Sequence, residues 1–311
     1  MIKVSVVLAT YNHEKYIEKA ISSTVQQKCN FEYEVLVGDD ASTDNTGSIV
    51  RQLAGENPGI VNGIVRERNL GAAKNIMDLI KRARGKYIAF LEGDDYWIDE
   101  YKLQKQVDFL DSHPDYVASF GRSIVIHETD ERDEDYEQYF PWIQEGEYTV
   151  SDMNKYLIPG QTATAMYRKQ SFLELLSDVK KDWRLMPRVP VVDRFLILGM
   201  MSKGKIFTMA DNLAVYRFIL DTESGSWSSK HEKYSLFNAI YLLYGLKEME
   251  RIGKRLNMQL CFDEMRNIQF SKVAEYKGQM PIIVIDIIRF FIWLWYKDKR
   301  KFIEFIKERH S

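Results

Sequence analysis

The chain has 311 residues, 45% hydrophobic and 13% aromatic, which suits a principal globular domain with an appendage and excludes global disorder. With 43 Lys and Arg against 45 Asp and Glu, the formal net charge of -2 gives no general attraction to nucleic-acid phosphates, so nucleic acid is not an expected partner. Cys29 and Cys261 fit neither a disulfide framework nor a zinc motif and read as reduced, buried thiols; with no signal-peptide pattern after Met1 and no Asn-x-Ser/Thr acceptor, a cytoplasmic location is expected.

Val4 to Ala9 is a short apolar run, predicting a buried strand, and Asn12 as a cap opens a helix with Ile17, Ala20, Ile21 and Val25 at helical spacing. Glu34 to Gly38 predicts a second strand, and Ser42-Thr43-Asp44 starts a helix carrying Ile49, Val50 and Leu53. Gly63 to Arg66, a helix after Gly71, and Tyr87 to Leu91 repeat the alternation, which predicts an α/β fold with a mostly parallel, covered sheet and ligands outside the carboxyl ends of its strands. A helix from about Tyr101 to Ser112 and a longer strand from Tyr116 to Ile126 follow. The acidic tract Glu128 to Asp135 reads as a solvated loop. A mixed region ends in a strand at Leu213 to Arg217, and from about His231 only helical patterning remains. The expected division is therefore 1–225, in halves 1–115 and 116–225, followed by a helical extension at 226–311.

Polar residues gather where the strands end. Asp39, Asp40, Glu92, Asp94 and Asp95 follow two apolar strands; for Asp40 and Asp44, helix capping or loop structure competes with chemistry. Three acids within four residues after a buried strand repel one another unless a cation or ligand relieves them. Carboxylates suit Mg2+ or Mn2+, whose remaining coordination is filled by phosphate oxygens and water, which implies a diphosphate substrate.

Ser5 to Asn12, Val37 to Asp44, Asn69-Leu70-Gly71 and Leu91 to Asp95 together resemble family 2 glycosyltransferases of the GT-A fold, over roughly residues 1 to 220. The resemblance implies an inverting enzyme that takes a sugar from a nucleotide-diphosphate donor, with UDP favoured. It implies a nucleotide-binding set of Thr10, Tyr11, Asn12, Asp39, Asn69, Lys74, Glu92 and Gly93, and a metal at Asp94 and Asp95. Glu92 stands where the family's metal motif usually has Asp. Val191 to Phe195 resembles the acceptor-side block, with Asp193 at the place of the catalytic carboxylate; its bland alternative is a helix cap. Tyr216, Arg217 and Trp227 fall on the acceptor side, and Phe218 to Leu220 stand where many relatives have a His. The acceptor class that follows from family habit is a polysaccharide or lipid-linked glycan receiving one sugar.

Pro281 to Tyr296 is too short to span a bilayer and carries Asp286 and Arg289. With the basic residues up to Lys301 it reads either as a packed helix or homodimer contact, or as an in-plane anchor on the inner face of the membrane. A sugar nucleotidyltransferase is the rival enzyme, but it should open with a Gly-rich phosphate loop, which Thr10 to His13 is not. A nonenzymatic nucleotide-sugar binder is the rival from a different class.

Overall fold

The computed structural model describes residues 1–134, 144–187, 192–219 and 236–277. Trp227 and the segment 281–301 lie outside the described residues. Two compact units divide the chain, one formed by Met1–Trp183 with Leu196–Glu232 and the other by Arg184–Phe195 with Lys233–Ser311.

The first unit is built on a nine-stranded mixed sheet. Its parallel half comprises β1 (Val4–Thr10), β2 (Tyr33–Asp39), β3 (Val61–Val65) and β4 (Tyr87–Glu92), separated by α1 (Ile17–Val25), α2 (Thr46–Glu56) and α3 (Ala72–Arg82). These strands carry few alternating polar residues because helices cover both faces. Val4, Val6 and Leu8 join Ile17, Ala20 and Ile21 of α1 in one core, while Leu79 and Ile80 of α3 are buried on the other side. Each such fully buried aliphatic side chain contributes about 1.5–3 kcal/mol.

Beyond β4 the chain forms β5 (Tyr96–Trp97), α4 (Lys102–Ser112), β6 (Tyr116–His127), β7 (Gly146–Tyr148), α5 (Val150–Asn154), β8 (Met166–Arg168), α6 (Lys169–Lys181), α7 (Val192–Met201) and β9 (Lys205–Phe218). The sheet order is β3-β2-β1-β4-β8-β6-β9-β5, with β7 also on β9. β8 is antiparallel to both β4 and β6, so β6 and its parallel partner β9 run in the direction of β4. Their C-terminal ends therefore face the same way as those of β1, β2 and β4.

Two buried charges are held in different ways within this unit. At the start of β2, Glu34 Oε1 accepts hydrogen bonds from Ser5 Oγ (2.7 Å) and the Arg84 amide (2.8 Å), and Oε2 accepts from Arg84 Nε (2.8 Å) and Nη2 (2.6 Å). Burial pushes this carboxyl up, but the bonds from Arg84 and Ser5 outweigh it and leave it below the usual range. Lys102, at the start of α4, is fully buried with Nζ donating to Gln106 Oε1 (2.8 Å) and lying 4.2 Å from the Trp97 ring centre. Burial without a paired carboxylate lowers its ammonium to about 7.

The second unit contains α8 (Leu236–Arg255) and α9 (Asp263–Lys277). Leu246, Met249 and Ile252 of α8 are buried, as is Phe262 just before α9. Arg251 donates to the carbonyls of Arg184 and Met186, which ties residues 184–187 to α8.

Three expectations change. Asn12 does not cap α1: it sits at φ 56° and its Oδ1 accepts the Thr43 amide (2.9 Å), so its side chain serves the β2–α2 loop instead. α2 begins at Thr46 rather than Ser42, because Ser42 and Asp44 are engaged in the loop before it. Cys261 is exposed and Cys29 half-buried, so neither is a core thiol.

Candidate active site

The parallel register sets Thr10 beside Asp39 and Ala9 beside Glu92, so the ends of β2, β1 and β4 lie side by side. At the β2 end, Asp39 is 1% exposed; its Oδ1 accepts from Ser42 Oγ, while Oδ2 has no hydrogen-bond partner among the described residues. Burial raises this carboxyl above its ordinary range, against the lowering effect of Ser42. The Asn12 amide donates to Ser42 Oγ (2.8 Å), locking the two loops together. Ala41 is held at φ 61°, a conformation costing about 1–2 kcal/mol for a residue with a Cβ, and this network holds it there.

Asp40 has a different task. Its two oxygens accept the amides of Leu70 and Gly71, each at 2.8 Å, and Arg66 Nε lies 4.0 Å away. The carboxylate thereby clamps the loop before α3, where Gly71 adopts φ 84° and any side chain would be strained. Asp44 likewise accepts from the amides of Glu14 and Thr46, both at 3.0 Å. Capping and loop structure are thus what these two acids do.

At the β4 end, Gly93 permits a close approach: a Cβ there would lie 2.7 Å from Thr10 Cβ and 2.8 Å from His13 Nδ1. Thr10 Oγ1 and His13 Nδ1 are both buried without hydrogen-bond partners among the described residues. Asp94 is 8% exposed, with Oδ2 3.8 Å from His13 Nε2. Asp95 is more deeply buried; its Oδ1 accepts the Arg217 amide of β9 (2.8 Å). Burial, then repulsion from Asp94 and Glu92, raises the Asp95 carboxyl well above its usual range. The Arg217 side chain donates from Nε to the Asp94 carbonyl (3.3 Å) and from Nη1 to the His127 carbonyl (3.2 Å), and pairs with Asp130 at 2.8 Å.

Among the sequence-predicted residues, Thr10, Asp39, Glu92, Gly93, Asp94, Asp95 and Arg217 converge on these strand ends, flanked by half-buried Tyr11 and Asn12. Asn69 and Lys74 are exposed at the loop and first turn of α3 that Asp40 organises. Tyr216 is half-buried in β9. Asp193 belongs to the second unit, exposed in the first turn of α7. Sequence reading missed His13, Ser42 and Asn75. Asn75 is fully buried and bridges the Gly38 carbonyl (2.7 Å) to Arg66 Nε (2.9 Å). Each lies next to or within a motif already singled out, and that adjacency was the only available signal.

Among the described residues no three His, Cys, Asp or Glu side chains converge as a ready-made metal cage. The donor set nevertheless fits a small hard cation held by one or two carboxylates and completed by a ligand's phosphates: Asp94 is partly open, and two further acids raise the local negative charge.

Residues 5–176, more than half the chain, match the profile described as "Glycosyl transferase family 2". An uncharacterized protein of Mycobacterium tuberculosis is 34% identical over 214 residues, covering 68% of this chain; the chain spans only 58% of that relative's length. In structure, the chain is similar to TarS of Staphylococcus aureus, a poly(ribitol-phosphate) β-N-acetylglucosaminyltransferase, in complex with UDP-GlcNAc: TM-score 0.57, 20% identity, 88% of this chain and 71% of that one. It is also similar to a mannosyltransferase from Pyrobaculum calidifontis in complex with GDP-Man and Mn2+, with TM-score 0.55, 17% identity, and coverage of 96% and 82%. The mixed α/β sheet is thus a GT-A fold, and with its acids gathered where the matched motifs end, the chain belongs to glycosyl transferase family 2.

Proposed function

We propose that the protein transfers a single sugar from a nucleotide-diphosphate donor, UDP-linked by preference, to a hydroxyl of a polysaccharide or lipid-linked glycan, inverting the anomeric centre. The observation that carries this reading is the gathering of Asp39, Glu92, Asp94 and Asp95 at the ends of β2 and β4, the two strands that flank β1, beside buried polar atoms with no partner among the described residues. Buried polar groups are rarely left unpaired, so Asp39 Oδ2 and Thr10 Oγ1 are apt acceptor and donor for a ligand. Both structural neighbours were solved with nucleotide-diphosphate sugars, UDP-GlcNAc in one and GDP-Man in the other.

In this reading Thr10, Tyr11, Asn12 and Asp39 hold the nucleoside, Tyr11 offering a ring to a base and Asp39 its open oxygen to a hydroxyl or ring N–H. Asn69 and Lys74 approach the diphosphate, and Glu92 with Gly93 lines the ribose side. Asp94, with Asp95 behind it, would hold Mn2+ or Mg2+, which when bound would supply Lewis acidity toward the departing diphosphate. Asp193 accepts the proton of the attacking hydroxyl as the new glycosidic bond forms and the bond to the diphosphate breaks, its electrons leaving with the diphosphate oxygen. Tyr216, Arg217 and Trp227 belong to the acceptor side. The segment 281–301 serves as a membrane-surface or homodimer contact; among the described residues no helix is long and apolar enough to cross a membrane.

The test is calorimetry of UDP binding with and without Mn2+, paired with sugar release from UDP-sugars. The parent should bind UDP more tightly with Mn2+, and Asp94→Ala should lose both that gain and all turnover. Unchanged turnover in Asp94→Ala would sink the site.

A further inference from the structure

A cavity of about 460 Å3 opens next to the strand-end acids, walled by Lys15, Tyr16 and Lys19 around the start of α1, by Glu128 and Asp130 beyond β6, and by Arg217 of β9. That volume lies in the range of small-molecule sites and accommodates a sugar or polyol unit. Arg217 is shared between the cavity wall and the acids, since its amide holds Asp95 and its Nε reaches the Asp94 carbonyl. Asp39 ends β2 on one side of β4 and Arg217 lies in β9 on the other, while Lys15 and Tyr16 follow closely after Tyr11 and Asn12, so the cavity borders the proposed donor residues on its α1 side.

The charges in this wall are unequally matched. Arg217 is 3% exposed, and its guanidinium stacks 4.6 Å above the Tyr16 ring and pairs with Asp130 through Nη1. Its Nη2 has no hydrogen-bond partner among the described residues, although the side chain lines the cavity. Lys15 and Lys19 are exposed, and neither has an acid within ion-pair distance among the described residues; Lys19 Nζ rests 3.9 Å from the Tyr96 ring centre. With Asp130 already taken by Arg217, the cations left over outnumber Glu128. A buried guanidinium with an N–H unused among the described residues, flanked by two exposed ammonium groups without a carboxylate partner there, is chemistry for a carboxylate or phosphate.

We propose that this cavity is an acceptor subsite that recognises an anionic group, a carboxylate or a phosphate, on a hydroxylated unit of the acceptor. The proposal rests on the reading that the strand-end acids hold the donor, and it deepens that reading by making the acceptor acidic. The donor's own diphosphate is the other source of the same chemistry.

Saturation-transfer NMR on the full chain separates these sources. The probes are methyl glucuronide against methyl glucoside, and glycerol 3-phosphate against glycerol. At least one acidic probe should give a signal about fivefold above its neutral partner, as one charge-assisted hydrogen bond allows. The Lys15→Glu/Lys19→Glu variant should bring that signal down to the neutral level while UDP affinity by calorimetry stays within about twofold of the parent. Equal signals from acidic and neutral probes, or an acidic signal that survives in the variant, overturn the anion site. Loss of the signal together with UDP affinity about tenfold weaker assigns the cations to the donor diphosphate and overturns the acceptor subsite. Failure of the parent to bind UDP at all would strike the donor reading instead, and the probe signals are read independently of it.

Discussion

The two ends of β2 each carry a buried carboxylate, and the protein treats them in opposite ways. Glu34 at the start is consumed by Ser5 and Arg84, and its carboxyl lies below the ordinary range. Asp39 at the end is as deeply buried, keeps one oxygen without a partner among the described residues, and lies above that range. Burial alone therefore does not mark a functional acid. What distinguishes the two is whether the protein itself satisfies the group, and the unsatisfied one stands where parallel strands deliver ligands.

Acids outside this strand extend the comparison to the expected chemistry. As the proposed base, Asp193 should matter to rate and not to binding: Asp193→Asn should cut transfer by at least ~100-fold, the low end of general-base contributions, with UDP affinity within about threefold. NMR of the product should show an inverted anomeric centre; near-normal transfer would leave Asp193 as an acid in the first turn of α7, favourable to the helix dipole.

Within β2 the contrast is sharper. Asp39→Ala should weaken UDP binding about tenfold with or without metal, the loss of about one hydrogen bond to a charged group. Equal affinity by calorimetry would remove Asp39 from the nucleoside site. Glu34→Ala should do the reverse, costing about 1–3 kcal/mol in denaturant melts with UDP affinity intact, because Ser5 Oγ and the Arg84 amide lose their acceptor. The lowered Glu34 carboxyl also predicts a pH window: its stabilisation is present above about pH 4.5, the ordinary glutamate value, and fades as pH falls below it. A variant as stable as the parent at pH 7 would break the distinction between the strand's two ends.

Lys102 offers a separate test, and its sign is opposite. Its folded-state ammonium is lowered to about 7, so the folded protein sheds a proton that the unfolded chain keeps up to about 10.5. Stability should therefore rise with pH between those values. Lys102→Met should flatten that rise in thermal melts from pH 7 to 10, and an unchanged slope would mean that the lysine stays charged in its apolar niche beside Trp97.

The parallel half of the sheet was legible because both of its faces are covered, so its strands read as continuous apolar runs ending in polar clusters. The short strands β5, β7 and β8 carry too few residues for any period and exist only through their partners. β9 begins at Lys205, well before the apolar run at Leu213, because exposed residues such as Asp211 and Asn212 interrupt the pattern in the middle of the strand. In the site, residue type and place relative to the strands marked Asp39, Glu92, Asp94 and Asp95 as candidates. They left Asp40 open between capping or loop structure and chemistry, and the fold shows that the amides of Leu70 and Gly71 occupy it. His13 and the Arg217 amide were hidden for the same reason: each reaches the acids through space.

The bond between Asp95 and the Arg217 amide also governs the order in which the molecule can mature. It spans 122 positions of sequence, and β9 must already lie beside β5 and β6 for it to form. During synthesis the first four strands emerge early and can collapse with α1 to α3 by mostly local contacts. The loop bearing Asp94 and Asp95 stays without its support until residue 217 has left the ribosome. A nascent chain that has not yet released β9 lacks the bond that supports Asp95, so donor turnover at the proposed site should appear only after residue 217 has emerged.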